Sequence, residues 1–496
     1  NATGADLSLD VYRRTLYQPY RVHIARSSSE VISGITQKVS TATGVLMSLV
    51  TVVTSLALFV AIFGTLLLID PMVATVAALT FGVGYGSTAL VARRRLARNG
   101  ERIAREQTAV VKALQEGLGA IRDVLLDGTQ MVYCGLYRNA IQVLQRANGE
   151  NTFANQAPRY AMEALGAVLI TVLAVGLSRR PGGLGAVLPV LGALALGAQR
   201  LLPLMQQLYG NWTVVAGSRA ALVDVLELLD QPVADDASAP PPLPLAVRKA
   251  ISLENVKYRY TPDGPWVLDG IDLTIEKGAR IGLIGNTGSG KSTVLDLLMG
   301  LLEPTHGRIL VDDRRIGSEL RRAWQQTIAH VPQHIFLADT TIAENIAFGV
   351  PPGEVDAIRV KLAAEQARIS EFIESRPEGY GAMVGERGIR LSGGQRQRIG
   401  IARALYKQAT VLVFDEATSA LDSITEDEVM GAIESLHRDL TILLVAHRFT
   451  TLRHCDRIAR LEQGRVVALG SYEDVINGCS AFRIPPPGDL RPDAPG

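Results

Sequence analysis

Residues 285–293, Gly285-Asn286-Thr287-Gly288-Ser289-Gly290-Lys291-Ser292-Thr293, are of the types and spacing that hold phosphate. The glycines let the backbone curl so that its N–H groups converge on an anion. Lys291 would reach the β- and γ-phosphates, and the Ser292 hydroxyl would ligate Mg²⁺. The apolar run Ile281-Gly282-Leu283-Ile284 precedes the loop and a helical run from Val294 follows it. The loop is therefore expected at a strand-to-helix turn, with the positive end of the helix facing the phosphate. A second acidic element closes another apolar run, Val411-Leu412-Val413-Phe414-Asp415-Glu416. A strand ending at Asp415 places that carboxylate at the sheet edge, where it can hold Mg²⁺ through water. Glu416 is then placed to polarise an attacking water as a general base. Together these residues predict binding and hydrolysis of a nucleoside triphosphate.

Leu391-Ser392-Gly393-Gly394-Gln395 narrows the reading. With the phosphate loop before it in the chain and Asp415-Glu416 after it, this segment resembles the signature of the ATP-binding-cassette (ABC) ATPases, across nearly all of residues 251–478. A serine and two glycines at a helix start suit an anion physically. The resemblance implies that Ser392, Gly393, Gly394 and Gln395 cap the γ-phosphate held by the opposing subunit, so that two ATP molecules sit between two such domains. It also implies that Tyr260 lies against the adenine ring, that Gln333 touches Mg²⁺, that Asp422 communicates across the dimer and that His447 contacts the γ-phosphate. Gly385-Glu386-Arg387-Gly388 looks like the segment with which exporters touch the other subunit's membrane domain. The implied set is ATP with Mg²⁺, the metal held by Ser292, Gln333 and Asp415, and Glu416 and His447 acting in catalysis.

These residues need an α/β domain behind them, and the second half of the chain reads as one, with strand-like apolar runs alternating with helical ones. The first half reads differently. Residues 44–69, 71–92, 161–177 and 184–204 are apolar and long enough, at roughly 20 residues of helix, to cross a bilayer. The polar segment 93–160 carries Arg93, Arg94, Arg95, Arg98, Arg102, Arg105, Arg122 and Arg138, which places it in the cytoplasm by the positive-inside rule. Its Ala, Leu, Glu, Gln and Arg usage predicts that the spans continue inward as long helices. The expected organisation is a membrane domain over 1–230, a proline-rich linker over 231–250, the cassette over 251–482 and a disordered tail over 483–496. The three cysteines, Cys134, Cys455 and Cys479, have neither metal-site spacing nor an oxidising setting.

The fold class is thus an all-α transmembrane domain followed by an α/β P-loop NTPase. Spans fused ahead of a cassette resemble the bacterial half-transporter exporters, which have six spans per chain and work as dimers. Four spans are visible, and the polar start with Tyr17 to Ser29 is similar to the first coupling region of that family. The sequence is therefore expected to be N-terminally incomplete. Tyr133 to Asn139 is the expected second coupling helix. Ser27 to Ile32, Gln156 to Tyr160 with Glu163, and Thr287 to Leu302 look closest to lipid-linked-oligosaccharide flippases and related glycolipid or polysaccharide exporters. Arg200, in the last span, is read either as a contact for a polyprenyl pyrophosphate or as a residue at the inner interface.

The implied partners are a second half-transporter, most simply an identical one, the bilayer, and a lipid-linked or amphiphilic substrate, in the bacterial inner membrane. An exporter of other lipids, peptides or drugs is the alternative reading, and a non-transport cassette ATPase a weaker one. A net charge of +1 gives no basic field for nucleic acid.

Overall fold

The computed structural model describes residues 2–69, 71–178, 183–231, 240–417, 423–437, 439–446 and 449–477. They divide into two compact units, Asn1–Ser238 and Ala239–Gly496.

The first unit is helical. After Ala2–Leu16 and the short helices Tyr20–Ala25 and Ser28–Ser33, a π-helical turn Gly34–Lys38 leads into Val39–Ile69. Pro71–Gly119 and Gln130–Ser178 are each 49 residues long, and Gly183–Gly217 and Arg219–Leu229 complete the unit. The apolar spans therefore do run on as long helices, as expected. Gln130–Ser178 tolerates Pro158 in its interior. Ser28–Ile69 and Ala74–Gly119 are long and apolar enough to cross a membrane among the described residues. In the first of these only 6% of the most apolar window is buried, and Met47, Val53, Leu68, Leu79, Val83 and Leu90 lie open. So much exposed aliphatic surface suits lipid rather than water.

Inside the unit, packing is local and several polar groups pair across helices. Phe81, Tyr85, Met162 and Tyr209 form one cluster, and Val11, Val39, Ala42, Val225 and Leu228 another. The ammonium of Lys38, nearly buried, meets Asp224 Oδ2 at 2.5 Å. Ser55 Oγ donates to Gln207 Oε1 at 2.9 Å. Gly100 marks the tightest crossing: a Cβ there would lie 2.3 Å from the Gly217 carbonyl oxygen. Next to it Asn99 Nδ2 donates to Glu150 Oε2 and to Asn151 Oδ1, both at 3.1 Å. Three helices are thus pinned together just beyond the apolar span.

Tyr133 to Asn139, expected to be a short coupling helix, is not a separate helix. The short helix between the two long ones is Ile121–Leu126, and Tyr133 already lies in the first turns of Gln130–Ser178. The break falls at Asp127-Gly128-Thr129, where Gly128 adopts φ +64°, a conformation that ends a helix most cheaply at glycine.

The second unit carries two sheets. Strands β1 (Ala250–Tyr258), β2 (Leu268–Glu276), β4 (His306–Val311) and β5 (Arg314–Arg315) form an antiparallel sheet in the order β2-β1-β4-β5. Strands β3 (Arg280–Ile284), β6 (Ile328–Val331), β7 (Val411–Asp415), β8 (Thr441–Val445), β9 (Arg457–Glu462) and β10 (Arg465–Gly470) form the other, in the order β10-β9-β3-β8-β7-β6. β3, β6, β7, β8 and β9 run parallel in this second sheet. The near-continuous apolar runs of β3, β7 and β8 are the composition a sheet covered on both faces requires. Leu245 and Val247, within the stretch expected to be a linker, pack against one of the two cores of this unit. The expected tail, 483–496, lies outside the described residues.

Candidate functional site

The phosphate loop occupies the turn between β3 and the helix Lys291–Leu298. Gly290 caps that helix at φ +103°, and a Cβ on it would meet Leu268 Cδ2 at 2.6 Å. Only glycine allows both the left-handed turn and this approach. Asn286, Thr287 and Gly288 are exposed, as is Ser292, whereas Ser289 and Lys291 are buried. Lys291 Nζ donates to the carbonyls of Gly285 at 2.7 Å and Asn286 at 3.1 Å. Burial pulls its ammonium below the usual lysine range, while the carboxylates of Glu416 and Asp415 oppose that shift. Lys291 is thus a charge held under the loop in a poorly solvated place, where it acts strongly on an anion.

β7 delivers Asp415 to the same sheet edge, and Glu416 follows it at φ +49°. The Glu416 N–H donates to the Val445 carbonyl at 3.0 Å, tying the turn to the end of β8. Gln333, just past the end of β6, donates from Nε2 to Glu416 Oε2 at 3.0 Å. Tyr260 is brought to the loop from β1: its hydroxyl lies 3.3 Å from Thr293 Oγ1, and its ring meets Tyr258 edge-on at 5.1 Å with 41% of the residue exposed.

The structure therefore gathers Tyr260, the loop with Lys291 and Ser292, Gln333, Asp415 and Glu416 at one end of the parallel sheet. Asp422 and His447 lie outside the described residues.

The residues present fit a nucleotide with its cation. Among the described residues, Ser289 Oγ is buried beneath the loop without a hydrogen-bond partner. The Ser292 hydroxyl, the Gln333 amide oxygen and the Asp415 carboxylate form the oxygen-rich set that Mg²⁺ shares with phosphates, and Lys291 supplies a positive charge for the phosphates themselves.

The signature segment is built differently. Ser392 caps the helix Gly393–Tyr406 through a capping box: its Oγ accepts from Gln395 N at 3.2 Å, while Gln395 Oε1 accepts from Ser392 N at 2.9 Å. Ser392 and Gly393 are exposed, so this helix offers an open, dipole-positive end. Gly385-Glu386-Arg387-Gly388 forms a 3₁₀ turn with Glu386 and Arg387 exposed. Arg200 is exposed on the helix Gly183–Gly217.

One residue escaped the reading of the sequence. Asp296 follows Ser292 by one helical turn, and burial, reinforced by the charge of Asp415, pushes its carboxyl up to about 6. An acid on the inward face of the helix after the loop was the only signal for it.

Comparison with known proteins agrees with this geometry. The family model described as ABC transporter matches residues 268–419. An ATP-dependent lipid A-core flippase of Chromohalobacter salexigens is 32% identical over 478 residues, which is 96% of this chain and 82% of that protein. A β-(1→2)glucan export ATP-binding/permease protein of Rhizobium meliloti is 35% identical over 336 residues, 68% of this chain and 55% of that protein. The solved structure of a bacterial Atm1-family ABC exporter with ATP bound superposes with a TM-score of 0.82 at 26% identity, covering 97% of this chain and 84% of that one.

Proposed function

Since the chain belongs to the ABC transporter family, as a bacterial half-transporter exporter that couples ATP hydrolysis to transport, we propose that it flips a lipid-linked, anionic glycan or glycolipid across the bacterial inner membrane as a homodimer. Membrane helices joined to a cytoplasmic ATPase are the family's arrangement, and half-transporters act in pairs. The observation that carries the choice of cargo is likeness along nearly the whole chain to a lipid A-core flippase. The glucan exporter supports a saccharide-bearing cargo as well.

In the proposed cycle Tyr260 stacks on the base, and Lys291 with the loop N–H groups of residues 285–293 binds the phosphates. Ser292, Gln333 and Asp415 would hold Mg²⁺, which when bound neutralises charge on the β- and γ-oxygens. Glu416 takes the proton of the attacking water. Gln333, hydrogen-bonded to that carboxylate, orients it and gives the site a lever towards whatever packs beyond β6. Ser392 to Gln395 close over the partner's nucleotide, with Asp422 and His447 acting at the same interface. Arg200 remains a candidate contact for the cargo's pyrophosphate.

The test is reconstitution in liposomes. ATP-dependent flipping of a polyprenyl-pyrophosphate oligosaccharide or a lipopolysaccharide precursor is expected, with ATPase stimulated by the same lipids. Stimulation by peptides or drugs alone, with no lipid flipped, would sink the cargo assignment and leave the motor intact.

A further inference from the structure

The helix Gly393–Tyr406 carries Arg403 in its last turn, and that side chain holds a loop rather than an acid. Its Nη1 donates to the Phe336 carbonyl at 3.0 Å, its Nε to the Asn345 carbonyl at 3.0 Å and its Nη2 to Asn345 Oδ1 at 3.4 Å. The guanidinium also lies 4.4 Å over the Phe348 ring. Burial pulls it below the usual arginine range, to about 10, and among the described residues no carboxylate offsets that burial. A cation taken from water without an anion is costly unless other groups replace its hydration. Here two backbone carbonyls and one amide oxygen do so, at positions that match the fixed fork of an arginine.

Phe336 belongs to the segment that begins with Gln333, whose amide meets Glu416 Oε2 at 3.0 Å. A second contact lays this segment on the same helix. Ile335 packs on Gly400, one turn before Arg403, so closely that a Cβ there would lie 2.1 Å from Ile335 Cδ1. Asn345, fully buried, closes the far end of the segment: its Oδ1 accepts from Ala338 N and its Nδ2 donates to the Ala338 carbonyl, both at 3.0 Å. Arg403 thus grips both ends of the stretch from Phe336 to Asn345. Ser392 starts the same helix, roughly 16 Å away along its axis, so Arg403 lies far from the nucleotide that Ser392 is proposed to cap. Its route to the chemistry is the loop.

We propose that Arg403 is a positioning residue for hydrolysis: it fixes the segment after Gln333 against the helix and so sets where the Gln333 amide meets Glu416. The assignment rests on the reading above of Glu416 as the base with Gln333 orienting it, and adds what holds Gln333 in place. A tie that only stabilised the fold would lower the melting temperature and leave the kcat of the folded protein alone.

The experiment is a double-mutant cycle on the ATPase of the full chain in detergent, with kcat, KM for ATP and melting temperature read for each variant. Arg403→Gln is expected to lower kcat roughly tenfold with KM within about twofold, because the loop loses its donors while the nucleotide keeps its contacts. Arg403→Lys, which keeps the charge but serves only part of the fork, is expected to recover part of the loss and to melt near the parent. Gln333→Ala is expected to lower kcat as well, and adding Arg403→Gln to it is expected to change kcat by less than about twofold. If Arg403→Gln does not fold, the cycle is run with Arg403→Lys. Parent kcat in the folded Arg403 variant or in Gln333→Ala, or losses that multiply in the double variant, overturns the positioning role. Glu416→Gln is the control for the reading beneath it. If that variant hydrolyses ATP at the parent rate, the assignment of the base fails and the Arg403 role fails with it. Lost hydrolysis in Glu416→Gln beside parent kcat in the Arg403 variant overturns the Arg403 role alone.

Discussion

Gln333 and Glu416, 83 residues apart in the chain, meet at 3.0 Å through the amide nitrogen of one and the carboxylate of the other. The contact ties the end of β6 to the residue after β7, across two adjacent parallel strands. Glu416 also holds a left-handed backbone, φ +49°, which for a residue other than glycine costs on the order of 1–3 kcal/mol. Such strain is kept where the surroundings over-determine it, and here the Val445 carbonyl and the Gln333 amide both do so.

Glu416→Gln removes the proposed base and keeps the shape. ATP hydrolysis is expected to fall by roughly 10²–10⁴-fold, with ATP binding retained and ATP-bound dimers accumulating. Phosphate release, paired with size-exclusion chromatography in ATP, reads both effects. Turnover near the parent rate would remove Glu416 from the role.

Tyr260→Ala deletes the ring beside Thr293. A lost stacking contact of about 0.5–1.5 kcal/mol predicts ATP affinity several-fold to about tenfold weaker, and Tyr260→Trp is expected to restore it. Titration with a fluorescent ATP analogue measures the change. Equal affinity in the alanine variant would show that the ring does not meet the base.

Asp296 gives a pH signature. Its folded-state pKa of about 6 stands above the ordinary aspartate value of 3.8. The fold therefore favours the protonated acid. That contribution is present at low pH, declines as pH rises from about 4 to about 6, and is absent above, where the ionised group is a burden. Asp296→Asn is expected to melt higher than the parent at pH 7.5, with the gap closing towards pH 4.5. Thermal melts without nucleotide across that range test it. A gap independent of pH would mean that the carboxyl titrates normally.

Gly100→Leu tests the helix crossing. A side chain there would run into the Gly217 carbonyl, 2.3 Å from a Cβ. Overpacking of this kind costs about 1–3 kcal/mol, seen as a lower melting temperature in detergent. A melting temperature equal to the parent's would show that the two helices separate freely.

The placement of the candidate site was legible because its parts are contiguous. Residues 285–293, Ser392 to Gln395 and Asp415-Glu416 each form one short run, and each lands where strand, turn and helix patterns place it. The inward extension of the spans was legible too, from residues that favour helix without favouring lipid. What depends on distant parts of the chain was not. Asp296 is unusual because the fold buries it and, to a lesser degree, because β7 brings Asp415 near it, neither of which its neighbours in sequence reveal. Arg95, Arg98 and Arg102 read as topology signals until Phe153 and Pro158, some fifty residues on, were seen to face them across one groove. The short helix at Ile121–Leu126 lies upstream of the expected segment because the chain breaks at Asp127-Gly128, where Gly128 adopts φ +64°.

The reciprocal hydrogen bonds of Ser392 and Gln395 have a consequence for assembly. Because each satisfies the other from within a single chain, the helix start is preorganised before any second copy arrives. Nothing there has to fold on contact, so little ordering entropy opposes closure. In the proposed cycle, two motors built this way would meet and part as rigid faces, turnover after turnover, with the nucleotide deciding how long they stay together.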